Sequence, residues 1–66
     1  MKILVNGEKH EHGGQGTIAS LLKEMEISGD RVAIMVNDKV VNRDERKSVR
    51  LKDGDRVELL TFAGGG

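Results

Sequence analysis

Hydrophobic and polar residues alternate along the first positions of the chain. Met1, Ile3 and Val5 share one face of this segment, which is the period of a β-strand. Asn6-Gly7 follows, and this dipeptide strongly favours a two-residue hairpin turn. The return segment, residues 8–12, contains no aliphatic side chain. We therefore expect an edge strand here, with both faces largely in water.

A helical period replaces this alternation after a glycine-rich loop at residues 13–16. Thr17 suits the N-cap of a helix, because its hydroxyl can accept a hydrogen bond from a free backbone N–H group. Apolar residues then recur with i, i+3, i+4, i+7 spacing at Ile18, Leu21, Leu22 and Met25. We expect Gly29, within the segment Ser28-Gly29-Asp30, to end this helix after about three turns.

The second half of the chain is predicted to contain strands, turns and one charged crossing. Residues 32–36 are apolar on both faces, so we expect a central strand. A turn leads to a short strand at Val40-Val41, and residues 43–50 form a charged crossing without a clear period. After a turn at Asp53-Gly54, residues 57–62 have the β-branched and apolar character of a strand that is buried on at least one face.

This order of elements predicts an α+β fold. A single amphipathic helix must cover one face of a mixed sheet to bury its apolar stripe. The arrangement is that of a ubiquitin-like β-grasp with a four- to five-stranded sheet, in which the first and last strands are parallel neighbours. We assign residues 1–62 to this single domain and residues 63–66 to a flexible glycine tail.

The composition narrows the possible functions. The 66-residue chain has no cysteine, which removes disulfides, thiolate metal sites and thiol nucleophiles. Basic and acidic residues number eleven each, and Phe62 is the single aromatic residue, so we expect no binding of nucleic acid. We see no signal peptide and no stretch near the roughly 20 apolar residues of a membrane span. The expectation is a soluble, cytoplasmic protein that is monomeric when free.

His10 and His12 lie two positions apart and therefore on one face of the predicted edge strand. This spacing is compatible with two metal ligands, but the sequence offers no evident third ligand. Solvated surface side chains explain the pair more simply. We predict no metal site and no cofactor held by this chain.

Three glycines, Gly64, Gly65 and Gly66, close the sequence. Without Cβ atoms they can adopt almost any backbone angle and form a narrow thread. Fraying of a chain end explains such a tail if it has no function. The functional alternative is a terminal carboxylate that enters a buried site of another protein.

Several motifs in order resemble the ubiquitin-like sulfur carrier proteins of bacterial thiamine biosynthesis, the ThiS type of the MoaD/ThiS family. The matching segments are MKILVNGE (1–8), the Gly-Gln-Gly-Thr motif before the Leu-Leu helix (14–22), VNDKVVNR (36–43), LKDGDRVELL (51–60) and Gly65-Gly66. The chain departs from the family pattern at Asn42, where proline is usual, in the absence of tryptophan from 43–50, and in an extra glycine at 13–16. These departures lie in loops or edges and leave the route of the crossing open.

The resemblance implies that Gly66 supplies the reactive group. A ThiF-like adenylating enzyme would activate its carboxylate with Mg-ATP. A sulfur donor such as a cysteine desulfurase would then supply the sulfur, and a ThiG-like thiazole synthase would use the resulting thiocarboxylate. The chain itself would be a carrier and not an enzyme, with Gly64 and Gly65 extending the carboxylate into the partner's active site.

The resemblance also implies a docking surface, because family members bind their enzymes through the sheet face opposite the helix. If Val57 and Leu59 face the helix, that outer face carries Ala33, Met35, Glu58, Leu60 and Phe62. Arg43 matches a family position and is added as a candidate partner contact. The simpler alternative is that Leu60 and Phe62 only cover the edge of the core.

Three other functions share parts of this pattern. The small subunit of molybdopterin synthase is similar in tail and fold, but it is usually longer and lacks the Asn-Gly-Glu segment found at residues 6–8. A protein modifier would join the same activated carboxylate to lysine side chains. A non-covalent β-grasp interaction module would bind partners with an inert tail.

Overall fold

The computed structural model of the 66-residue chain describes residues 1–62, and the predicted tail at 63–66 lies outside them. Five strands form one mixed sheet, accompanied by one α-helix and two short 3₁₀ helices. The strands are β1 (Lys2–Val5), β2 (Glu8–Glu11), β3 (Val32–Val36), β4 (Lys39–Val41) and β5 (Arg56–Thr61). The α-helix, α1, spans Ile18–Glu24, and the 3₁₀ helices span Gly29–Arg31 and Arg43–Glu45.

The sheet order, β2-β1-β5-β3-β4, is that of the predicted β-grasp. β1 and β5 are parallel neighbours, and every other pair of strands is antiparallel. β3 lies inside the sheet as expected, between β5 and β4, but β5 occupies the centre. The last strand takes that position because it pairs with the first strand on one side and with β3 on the other.

The core lies between α1 and one face of the sheet. Ile18 and Leu21 of the helix are fully enclosed and pack with Ile34 and Val57 of the inner strands. Alternate residues of β1, β3 and β5 complete this face, since successive side chains of a strand point to opposite sides. The buried apolar set is Ile3, Val5, Ile18, Leu21, Leu22, Val32, Ile34, Val41, Leu51, Val57 and Leu59.

The predicted helix exists but is shorter than expected. It begins at the predicted cap, where Thr17 and Ser20 form a capping box: each side chain accepts from the other residue's backbone N–H group at 3.1 Å. It ends after 7 residues, at Glu24. The backbone turns left-handed at Glu26 (φ 57°), so Gly29 does not end the helix. The N–H group of Ile27 then donates to the carbonyl of Leu22 at 2.9 Å, which returns the chain to the core.

Both hairpin turns follow the local sequence. Asn6 and Gly7 have positive φ values of 51° and 82° between β1 and β2. Asn37 and Asp38, with φ values of 50° and 69°, make the equivalent turn between β3 and β4. Two successive left-handed residues are typical of the turn that matches the twist of an antiparallel pair.

β2 is an edge strand as predicted, but the histidine that follows it is buried and not solvated. His12, directly after the strand, has only 3% of its surface exposed, and His10 is half-buried. The prediction of two solvated histidines is therefore wrong. It failed because α1 packs beside β2 and supplies a carboxylate to both rings, a contact between residues 12 and 14 positions apart.

In the part of the chain that the structure covers, no helix has the length and apolar character needed to cross a membrane.

Candidate functional site

β5 ends at Thr61, one residue before the last described residue, and backbone hydrogen bonds on its β3 side hold this end in place. Thr61 pairs with Val32, the last pair in the antiparallel register of these strands. One residue further, the N–H group of Phe62 donates to the carbonyl of Arg31 at 2.9 Å. Backbone pairing therefore holds the strand up to the last described residue.

The β1 side of the same strand is held by a side chain. β1 ends at Val5, which pairs with Val57. After Val5, the side-chain amide of Asn6 makes the hydrogen bonds that a next residue of β1 would make to β5. Its Nδ2 donates to the carbonyl of Leu59 at 3.2 Å, and its Oδ1 accepts from the N–H group of Leu59 at 2.8 Å. Both backbone groups of Leu59 are thus satisfied after the neighbouring strand has turned away.

The predicted docking residues of the sheet lie together on the face opposite α1. Register places Leu60 opposite Ala33, and Glu58 opposite Met35. Leu60 and Phe62 are 58% and 61% exposed, while Ala33 and Met35 are half-buried. Leu60 and Phe62 therefore do not cover the core. Whether partners bind here stays a prediction.

One apolar residue of this face was not predicted. Val40 lies opposite Met35 in the β3–β4 register and is 68% exposed. The signal was present in the sequence, because Val40 precedes Val41, which is buried, and adjacent strand residues point to opposite faces. We call the set Ala33, Met35, Val40, Glu58, Leu60 and Phe62 the outer sheet face.

Arg43 is not part of the outer sheet face. It begins the second 3₁₀ helix and lines a cleft beside α1, together with Ala19 and Leu22. Its Nη2 donates to the carbonyl of Asp30 at 3.2 Å, and its Nη1 lies 3.6 Å from the Asp30 carboxylate. Any partner contact made by Arg43 is therefore separate from contacts on the outer sheet face.

The two histidines converge on Glu24, the last residue of α1. Nε2 of His10 and Nδ1 of His12 each lie 2.9 Å from Oε2 of Glu24. The N–H group of Gly13 donates to Oε1 at 2.8 Å. These hydrogen bonds, above all those of His10 and His12, lower the pKa of Glu24 to about 2.

His12 also connects the glycine-rich loop to the helix. Its Nε2 accepts from the N–H group of Gly16 at 3.0 Å and lies 3.2 Å from the hydroxyl of Ser20. Because Gly16 donates to Nε2, the neutral ring carries its proton on Nδ1, facing Glu24. All the polar atoms of this ring are used in packing β2, the loop and α1 together. Residues 1–62 contain no cluster of three or more histidine, cysteine or acidic side chains that could bind a metal ion.

The ThiS family model matches residues 3–66 of the sequence. The chain belongs to the ThiS family. A crystal structure of a thiamine biosynthesis protein (ThiS) from Geobacter metallireducens is similar over the full length of both chains, with 32% identity and a TM-score of 0.83.

Two relatives of the ThiS-family chain are larger proteins. The thiazole synthases of Paramagnetospirillum magneticum and Magnetococcus marinus are 33% and 36% identical to it over 66 residues. All of the chain is matched, but it spans only 20% of the length of each of these proteins. The family match and the structural similarity support a sulfur-carrier role and confirm the predicted family and fold. Gly64, Gly65 and Gly66 lie outside the described residues, so the predicted attachment site stays a prediction.

Proposed function

We propose that this protein carries sulfur for the thiazole of thiamine, and that the carboxylate of Gly66 is the attachment point. The observation that carries the proposal is the ThiS family match, which includes the terminal glycines. Similarity to two thiazole synthases over the whole chain supports the choice of acceptor pathway. The protein acts as a substrate of its partners, in the cytoplasm, and not as an enzyme.

The chemistry follows from the properties of a carboxylate. An α-carboxyl group has a pKa of about 3.3–3.7, so at neutral pH it is an anion that repels nucleophiles. A ThiF-like enzyme joins it to the AMP moiety of Mg-ATP and releases pyrophosphate. A sulfur nucleophile, supplied through a donor such as a cysteine desulfurase, then displaces AMP and leaves a thiocarboxylate. A ThiG-like thiazole synthase consumes this group.

The position of β5 suits this task. Hydrogen bonds hold the chain up to Phe62, so the four residues that follow begin from a fixed point. Four residues span at most about 14 Å, which is the deepest reach of the carboxylate into a partner. Glycine at positions 64–66 keeps this segment narrow.

The outer sheet face is the proposed docking surface for the adenylating enzyme and the thiazole synthase. It exposes Leu60 and Phe62 near the end of β5, and Val40 on β4. Exposed apolar side chains grouped on a small domain are typical of interaction sites. A partner bound there would hold the domain while the tail enters its active site.

The decisive experiment is the intact mass of the protein after incubation with the adenylating enzyme, Mg-ATP and a sulfur source. Replacement of one carboxylate oxygen by sulfur adds about 16 Da. We expect this increase for the 66-residue chain and not for a variant that lacks Gly66. The mass of protein purified from its own cells shows whether Gly66 is the carboxyl terminus, which the proposal requires.

Other outcomes of this experiment would point to a different function. Adducts joined to lysine side chains would identify a protein modifier. Partner binding that survives deletion of Gly65 and Gly66, with no change in mass, would identify a non-covalent interaction module. Sulfur transfer to molybdopterin in place of thiazole would identify the small subunit of that synthase.

Docking is tested separately with Leu60→Glu. Leu60 is exposed, so this change should leave stability within about 0.5 kcal/mol of the wild type. We expect affinity for the adenylating enzyme to fall by at least about tenfold, because a carboxylate would be buried against an apolar surface. Ser48→Glu is the matched control, since Ser48 is exposed and lies outside the outer sheet face. Equal loss of affinity in both variants would contradict docking at this face.

A further inference from the structure

A second surface lies on the helix side of the molecule, between α1 and the crossing that follows β4. It is an open cleft of about 580 Å³. Its apolar part comes from Ala19, Leu22 and Ile27. Its charged part comes from Lys23, Arg43, Arg46 and Lys47, and Asp44 is the one carboxylate among the described lining residues. We call this surface the cationic cleft.

Arg46 is the unusual member of the cationic cleft. Only 9% of its surface is exposed. Its Nη1 and Nη2 donate to the carbonyls of Gly29 and Val32, both at 2.7 Å, while its buried Nε has no hydrogen-bond partner among the described residues. None of the ion pairs within residues 1–62 involves Arg46.

A buried charge without a counter-charge is costly, and its field is weakly screened in the protein interior. Two carbonyl dipoles offset part of the Arg46 charge, and the remainder acts on the cleft that this residue lines. An anion in the cleft would complete the neutralisation. This burial distinguishes Arg46 from the solvated lysines found on most protein surfaces.

The exposed cations of the cleft add to this potential. Lys23 and Lys47 form no ion pair within the described part of the chain, and Arg43 pairs only with the exposed Asp30, at 3.6 Å. A neighbouring groove shares Lys23 and Lys47 and adds Arg50, together with the carboxylate of Glu24, which is paired with His10 and His12. The chain as a whole has no net charge, whereas the described residues that line the cleft carry four basic groups and one carboxylate.

We propose that the cationic cleft binds an acidic segment of a partner protein, one that presents carboxylates together with an apolar side chain. The carboxylates would contact Lys23, Arg43 and Lys47, and the apolar side chain would pack on Ala19 and Ile27, which are half-buried. Cations separated by an apolar floor match such a segment better than a compact phosphate, which needs several donors aimed at one point. The cleft is on the helix side, so its occupant leaves the outer sheet face free. The proposal goes beyond the proposed sulfur-carrier function.

The test is a titration of ¹⁵N-labelled protein, followed by amide chemical shifts. The probe is a six-residue peptide of alternating glutamate and leucine with blocked ends, and the reference probe replaces every glutamate with glutamine. We expect the glutamate peptide to shift the amides of Ala19, Lys23 and Lys47, and its affinity to fall as salt is added. The double variant Lys23→Glu/Lys47→Glu should bind it at least about tenfold more weakly.

The double variant Lys9→Glu/Lys39→Glu is the charge-matched control, because both lysines are exposed, on β2 and β4, and neither lines the cleft. It should retain wild-type affinity. Equal binding of both peptides, equal loss in the control, or shifts centred on the outer sheet face would overturn the proposal. Tighter binding of inorganic phosphate at the same amides would also overturn it, in favour of a phosphate ligand. All substituted lysines are exposed, and the amide spectrum itself shows whether each variant is folded. The titration contains no adenylating enzyme, so failure of sulfur transfer leaves its result unaffected.

Discussion

Replacement of Asn6 removes the side-chain bridge that holds β5 after β1 has ended. The amide of Asn6 makes two hydrogen bonds to the backbone of Leu59, at 2.8 and 3.2 Å, and both are partly buried. Asn6 also has a left-handed backbone with φ of 51°, which alanine adopts at a cost. Asn6→Gly removes the hydrogen bonds but tolerates the backbone, so it isolates the bridge.

The expected loss can be worked from these contacts. Two hydrogen bonds with a net value of about 0.5–1.5 kcal/mol each give a loss of about 1–3 kcal/mol for Asn6→Gly. Asn6→Ala should lose about 1 kcal/mol more unfolding free energy than Asn6→Gly, because alanine is strained in the left-handed backbone conformation. A domain of this size has a free energy of unfolding of roughly 3–10 kcal/mol, so either variant loses a substantial fraction of it.

Urea unfolding of the wild type and the two variants measures these differences. In a thermal melt, each kcal/mol of lost unfolding free energy should lower the melting temperature by about 4–8 °C in a domain of this length. Asp38→Gly is the control, because Asp38 has φ of 69° in the other hairpin turn and its side chain makes only an exposed ion pair with Arg56. We expect it to change stability by no more than about 0.5 kcal/mol. Asn6→Gly with the wild-type midpoint would refute the reasoning.

Substitutions at three further positions test other contacts. In the folded protein the pKa of the Glu24 carboxyl is about 2, below its ordinary 4.5. The stabilisation that this carboxylate gives the fold is therefore complete above pH 4.5 and disappears as the pH falls through about 2. Glu24→Gln should be less stable than the wild type at pH 7, and acid unfolding curves should show this difference in stability closing at low pH. Arg46→Ala leaves the carbonyls of Gly29 and Val32 without donors, and it should lower the free energy of unfolding in urea by about 2–4 kcal/mol. An unchanged urea midpoint would show that water replaces the guanidinium. Thr17→Ala should cost about 1 kcal/mol by the same measurement and Thr17→Ser almost nothing, and equal losses would show that the cap hydroxyl is not the cause.

Local sequence determined the elements of this fold. Asn6-Gly7 specified a hairpin turn, because successive left-handed residues are easiest for asparagine and glycine. The spacing of Ile18, Leu21 and Leu22 specified the buried side of α1. These features depend on residues within a few positions of one another, so a single sequence is enough to find them. The order of elements and the family motifs then predicted the β-grasp and the ThiS family, which the sheet topology and the family match confirm.

Tertiary structure alone decided the features that join distant segments. The sequence gives no sign that His12 would be buried against Glu24, because the contact requires β2 and α1 to lie side by side. Arg46 lies in a charged crossing, and only the fold brings it to the carbonyls of Gly29, before β3, and of Val32, the first residue of β3. Arg43 was placed beside α1 by the same crossing, away from the outer sheet face. Side-chain alternation can assign a residue to a face, but which faces meet, and which polar groups are buried between them, is decided by packing over the whole chain.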